Sequence, residues 1–182
     1  EQVVLRPEAG HELLRTSPGA PALQMRGLRL QGPVRVDGSH ASFELCTFRD
    51  GQAIEGGALA VVGGGVVEAT ACNFTSNNAT KGGALLVDGG EAHVAACRFN
   101  ENSAASGGSA LFVRSTIGEG VVLTDGTLLL SNTEPSITTV SGRVSYRLPA
   151  PQGRYIDAAG GNTQELSSGW AADYPLACAP GI

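Results

Sequence analysis

The chain has 182 residues and a mass of 18.5 kDa, the size of one domain. Its charged residues amount to only 16%, below the usual quarter, and its formal net charge is −5, which excludes the basic footprint of a nucleic-acid binder. The longest apolar runs, such as residues 58–62, fall far short of the roughly 20 residues that a membrane-spanning helix needs. The amino end, Glu1-Gln2-Val3-Val4, lacks the charged and apolar regions of a signal peptide, so the chain reads as processed or partial.

In chain order, the first elements predicted are short strands at residues 22–25, 28–30 and 34–36, separated by Gly27 and Gly32. A repeat follows. Cys46-Thr47-Phe48, Cys72-Asn73-Phe74 and Cys97-Arg98-Phe99 share the pattern Cys-x-Phe at separations of 26 and 25 residues. Ten residues after each Cys stands a Gly pair, 56–57, 82–83 and 107–108, and ten residues before each stands a Val, at 36, 62 and 87. Strands at 121–123 and 128–130, flanking Asp125-Gly126, extend the series, and residues 144–148 give a last strand. From residue 149 onward the Pro- and Gly-rich chain reads as a C-terminal cap or linker.

About 25 residues holding three short Val/Leu/Ala-rich strands and three Gly-rich turns matches one coil of a parallel β-helix. One coil cannot bury its inner face, whereas stacking coils about 4.8 Å apart closes a core. The chain is therefore predicted to be all-β: a single-stranded, right-handed parallel β-helix, pectin-lyase-like, over residues 1–148, with its clearest repeats at about 34–135. Equal positions then form columns. Phe43/Ala69/Val94, Cys46/Cys72/Cys97 and Phe48/Phe74/Phe99 are apolar and predicted inward. Ser42/Glu68/His93 and Thr47/Asn73/Arg98 are polar and predicted outward, the alternation of a half-buried strand. A Phe-x-x-Asn signature at 74–77 and 99–102 puts Asn at a repeated bend, whereas the first copy has Gly51 there.

The three column cysteines read as a ladder of buried free thiols, with a Cys46–Cys72 or Cys72–Cys97 disulfide as the alternative. No spacing suits zinc. Asn73-Phe74-Thr75 and Asn78-Ala79-Thr80 are glycosylation sequons, marking Asn73 and Asn78 as candidate acceptors in an extracellular chain. Asp37 and Asp88 share a column with Gly63 read between them, and both sit in Val-Asp-Gly turns, which is ordinary turn chemistry. Glu68 and His93 are stacked neighbours with Ser42 beyond, but no nucleophile elbow accompanies them. His11 and His40 have no evident partners, and Arg26, Arg29 and Arg35 read as a solvated face. No catalytic residue, cofactor or metal is predicted.

Gly-Gly-Ala-Leu at 56–59 and 82–85, with Phe-x-x-Asn at 74–77 and 99–102, resembles the repeats of polymorphic outer-membrane proteins. The resemblance implies an autotransporter-type passenger displayed at a cell surface and used for adhesion. Surface β-helix proteins of microalgae and other protists carry similar repeats, followed by cysteine-rich modules. The tail Cys178-Ala179-Pro180-Gly181 looks like the start of such a module. The function expected is a non-enzymatic, extracellular structural or adhesive segment of a larger surface or filament protein. Its expected partners are neighbouring subunits or domains and glycans. A carbohydrate-active β-helix enzyme or glycan-binding module is the alternative. Ice binding would need a flat Thr array, which Thr47/Asn73/Arg98 does not supply.

Overall fold

The computed structural model describes residues 3–8, 11–115, 120–147, 154–155, 163–165 and 175–177. Short β-branched and Leu-rich segments cannot close their own hydrogen bonds, so each pairs with the segment one coil away, and the described residues form a parallel β-helix. The first sheet stacks Val4–Leu5, Arg29–Leu30, Thr47–Arg49, Asn73–Thr75, Arg98–Asn100 and Leu128–Leu130. The second stacks Leu23–Arg26, His40–Glu44, Val66–Thr70, Glu91–Ala95, Gly120–Thr124 and Arg143–Arg147. The third stacks Leu14–Arg15, Val34–Asp37, Leu59–Val62, Leu85–Asp88, Leu111–Arg114 and Ile137–Ser141.

Where the repeat predicts three strands per coil, three coils carry a fourth. Gln52–Glu55, Asn78–Lys81 and Ser103–Ala104 form a short extra sheet at the corner between the first and third. All of these pairings are parallel. The Arg143–Arg147 edge pairs antiparallel with Thr163–Glu165, and Arg154–Tyr155 pairs antiparallel with Leu176–Ala177. Cys178 and the predicted module start lie outside the described residues, as does most of the chain after 147.

The columns fall where the alternation puts them. Phe43/Ala69/Val94 and Phe48/Phe74/Phe99 are buried, whereas Glu68, His93, Asn73 and Arg98 are exposed and Ser42 and Thr47 are partly so. The Phe rings form a stack: Phe48 to Phe74 is 4.7 Å at 5°, and Phe74 to Phe99 is 4.6 Å at 3°. Phe43 meets Phe48 edge-on at 5.1 Å. Offset-stacked or edge-on ring pairs add about 0.5–1.5 kcal/mol each to the area they bury. Leu30 extends the column on one side and Leu129 on the other. Toward the carboxyl end Tyr146 fills the core and donates its hydroxyl to the Thr127 carbonyl at 2.7 Å.

One register differs from the sequence reading. Val62, not Gly63, lies between Asp37 and Asp88, and Val61 faces inward between Val36 and Val87. The turn after Val62 holds three residues, Gly63-Gly64-Gly65, where its neighbours hold Gly38-Ser39 and Gly89-Gly90, so the extra residue is absorbed there. The Gly pairs turn a sharp corner. Gly82 has φ +63°, and a Cβ on Gly83 would lie 2.3 Å from the Ser103 carbonyl oxygen of the next coil.

Phe74, stacked on both faces, is the core residue whose truncation costs most. Phe74→Ala is expected to lower unfolding free energy by about 3–5 kcal/mol, read as a lower urea midpoint. An unchanged midpoint would show that the stack contributes little.

Candidate functional site

The bend residues of the Phe-x-x-Asn signature make a buried amide ladder. The residue before each, Ser76, Glu101 and Ser131, takes a left-handed φ of 54°, 55° and 51°, and the tight turn leaves main-chain groups facing inward without a strand partner. Asn77 and Asn102, both fully buried, satisfy them. Asn102 Oδ1 accepts the Asn77 main-chain N–H and its Nδ2–H, each at 3.0 Å, while Asn102 Nδ2 donates to the Phe74 carbonyl (3.0 Å) and to Asn132 Oδ1 (2.9 Å). Asn77 Nδ2 donates in turn to the Phe48 carbonyl at 3.1 Å. Gly51 ends the ladder: its N–H donates to Asn77 Oδ1 at 3.0 Å, and a Cβ there would sit 2.0 Å from the Gly57 carbonyl oxygen. The ladder thus ends at the first copy, where the main chain of Gly51 packs into the space that a Cβ would take.

The cysteine column is a ladder of free, buried thiols, as the sequence reading prefers. Each thiol donates to main-chain carbonyls: Cys46 to Glu44 (3.4 Å), Cys72 to Thr70 and Phe43 (3.4 Å each), and Cys97 to Ala95 (3.3 Å). The Cys72 N–H points at Cys97 Sγ (3.2 Å). Thr127 continues the column one coil on, accepting the Cys97 N–H at 3.2 Å. Sequence reasoning missed Thr127 because it lacks the Cys, although its place after Asp125-Gly126 signals the same corner. The Cys72 thiol, then burial, hold Cys46 above the ordinary thiol range. At Cys72 the Cys46 side chain acts downward, but the Cys97 thiol and burial outweigh it and push the group up to about 12. The Cys72 thiol holds Cys97 below its ordinary value.

The residues singled out for chemistry stay apart or engage in surface pairs. Asp37 pairs with Arg15 at 3.2 Å, and Asp88 with Arg114, whose guanidinium holds the Asp88 carboxyl below its ordinary value. Ser42, Glu68 and His93 do stand on adjacent rungs of one outward column, and His40 lies 3.9 Å from Glu68. Arg26 pairs with Glu44 at 3.3 Å. Asn73 and Asn78 are both exposed, on strands of the first and the short sheet; Asn78 Oδ1 accepts the Ser103 hydroxyl at 2.9 Å.

A notch that the sequence reading does not contain is the most distinctive surface feature. Its origin is coil length. Leu5, Leu30 and Phe48 are stacked, and Leu14, Val34 and Leu59 are stacked. The corner between these columns therefore advances 9 residues in the first coil, 4 in the second and 11 in the third. The second coil takes a shortcut through Gln31-Gly32-Pro33, with Gly32 packed on Pro7 so closely that a Cβ would lie 2.7 Å from its Cγ. Described residues of the first and third coils stand on either side. Between them opens a groove of about 960 Å³ lined by Arg6, Glu8, Glu12, Arg35, Asp50 and Glu55, among others. Asp50 is fixed by Arg49 at 2.7 Å and by Gln31 at 3.2 Å, and Arg35 Nε is buried without a hydrogen-bond partner. Counting residues from Leu30 to Val34 signals the notch, but only once both are known to face inward.

Two measurements follow from the ladders. Asn102→Ala leaves several buried main-chain and amide groups unpaired, so unfolding free energy is expected to fall by about 2–4 kcal/mol, measured in urea; a loss below about 0.5 kcal/mol would show that water replaces the amide. The raised thiols at 46 and 72 stabilise the fold below the ordinary thiol pKa of 9.0, and that stability is lost as pH rises through the folded values. Two upward shifts against the single downward one at Cys97 make the melting temperature fall between pH 9 and about 12, and a Cys46→Ala/Cys72→Ala chain should show a shallower fall. Parallel curves would refute the assignment. Compared with known proteins, the chain matches no family model, no curated protein and no solved structure.

Proposed function

We propose that this chain is an extracellular structural or adhesive segment of a larger surface or filament protein, and that it is not an enzyme. The observation that carries the reading is the axial register that the strands keep from coil to coil, apart from one shift beside Val113 and Arg114. Three sheets of parallel strands stack over a core filled by ring, thiol and amide columns. Such a stack is stiff and has chemically mixed faces, a form suited to spacing and presenting surface. The resemblance of its Gly-Gly-Ala-Leu and Phe-x-x-Asn motifs to adhesin passengers supports the same reading, and so does the exposure of both sequon residues, Asn73 and Asn78. Neighbouring subunits and glycans are the partners proposed. Among the described residues no helix is long and apolar enough to cross a membrane.

The notch favours one second reading, a carbohydrate-active groove, because carboxylates and guanidiniums line it together. Polar planar groups of this kind grip vicinal hydroxyls, and paired acids hydrolyse glycosidic bonds.

Protease treatment of intact source cells, followed by electron cryomicroscopy of the released or native assembly, tests the proposal. Cleavage from the outside, with density for neighbours along the ends or flanks of the β-helix, is the expected result. A chain protected inside intact cells would overturn it, as would release of reducing ends from a polysaccharide panel that Asp50→Asn or Glu55→Gln abolishes.

A further inference from the structure

We propose that the notch is a strand-acceptor site that binds an extended peptide carrying a basic residue, adding the rung that the shortened coil omits. This inference does not depend on where the protein is located or on the adhesive reading. The short corner sheet has three strands in the order Ser103–Ala104, Asn78–Lys81, Gln52–Glu55, so Gln52–Glu55 is its edge and borders the notch. The phase of its hydrogen bonds is fixed: the Asn78 N–H donates to the Gly51 carbonyl at 2.9 Å, opposite Gln52 in register. In a parallel ladder, main-chain groups alternate in direction along a strand. The N–H and C=O groups of Gln52 and Ile54 therefore point away from Asn78–Lys81 and into the notch. An edge strand with its donors and acceptors presented inside a groove is a template for strand addition.

The width fits one strand. The notch lies where the second coil takes its four-residue shortcut, between the coil that carries Arg6–Glu8 and the coil that carries Gln52–Glu55, so a strand placed there sits at ordinary sheet spacing from Gln52–Glu55. Ile54 is the most exposed large apolar side chain described, at 78%, and it stands on this edge.

Two observations set the chemistry of the occupant. Four carboxylates, Glu8, Glu12, Asp50 and Glu55, line the notch; Asp50 is already paired with Arg49, which leaves Glu8, Glu12 and Glu55 against the guanidiniums of Arg6 and Arg35, so a cation is favoured over an anion. On its occupied side the same strand already shows a preferred partner: Asn78-Ala79-Thr80-Lys81, with Ala79 opposite Ala53 and Lys81 opposite Glu55. A peptide that repeats this pattern on the vacant side would place Ala at the core edge and Lys between Glu55 and the acids of the facing coil.

The test uses the full chain, labelled with nitrogen-15 and titrated with the acetylated, amidated peptide Ser-Asn-Asn-Ala-Thr-Lys-Gly-Gly. Saturable shifts of the Gln52 and Ile54 amides are expected. Ile54→Pro removes an N–H that faces the notch and is tolerated at an edge, so it should weaken binding about fivefold to tenfold, while Ile54→Ala keeps the N–H and should change it less. Glu55→Lys should weaken the Lys peptide and favour a peptide with Glu in its place, which keeps the test decisive if the proline variant does not fold. Shifts confined to other faces, equal binding of Lys and Glu peptides, or no saturation would each overturn the proposal. So would shifts at these amides produced by cellohexaose and not by peptide, which would assign the notch to a saccharide.

Discussion

Every feature of this molecule depends on axial register: a residue is stable in its place only if the residue one coil away presents a matching group. In a parallel β-helix the strands of one coil have no partners within that coil, so hydrogen bonds and core contacts alike run along the axis. The corners meet this requirement at the greatest cost. Leu45, Ala71 and Ala96 before the cysteines, and Asp50, Ser76 and Glu101 at the next bend, all adopt left-handed backbone conformations. Each is a non-glycine residue in a region that costs about 1–2 kcal/mol. Such corners persist because the residue that follows binds the groups that the turn exposes: a buried thiol at the first bend and, after Ser76 and Glu101, a buried amide at the second, whereas after Asp50 the Gly51 N–H is bound by Asn77 of the next coil.

The three ladders differ in what they stabilise. The Phe stack removes apolar area from water and contributes without directional demand, so Leu30 and Leu129 continue it without loss of shape. The Asn ladder contributes mainly by avoiding unpaired buried polar groups, and it specifies which coil stacks on which, because an amide displaced by one residue would meet no acceptor. The thiol column lies between these extremes. It is small enough to fill the corner, donates weakly to carbonyls, and accepts Thr127 as an equivalent member.

The notch follows from a departure from this uniformity. Three coils make a broad corner with its own strand and one coil makes a four-residue shortcut. A solenoid in which all coils were equal would offer only flat faces. Unequal coils leave a slot whose wall is a strand edge, and the same register that pairs Gln52–Glu55 with Asn78–Lys81 dictates which main-chain groups line that slot.

By itself the sequence determined the coil period, the identity of the inward columns and the fold class. Cys-x-Phe, the Gly pairs and Phe-x-x-Asn recur at nearly constant spacing, and side-chain alternation on a strand converts that spacing into faces. For the cysteines the spacing allowed either free thiols or a bridge between neighbouring coils, and the free state is read from the structure. Only the tertiary structure decided where the irregularities are absorbed. Sequence spacing cannot tell whether an extra residue lies in a strand or a turn, so the step at Gly63-Gly64-Gly65 placed Val62 where Gly63 was expected. The fourth strand, the role of Thr127, the close packing at Gly51 and the notch share one cause. Each depends on what stands one coil away, and that neighbour is fixed only when the chain has wound onto itself.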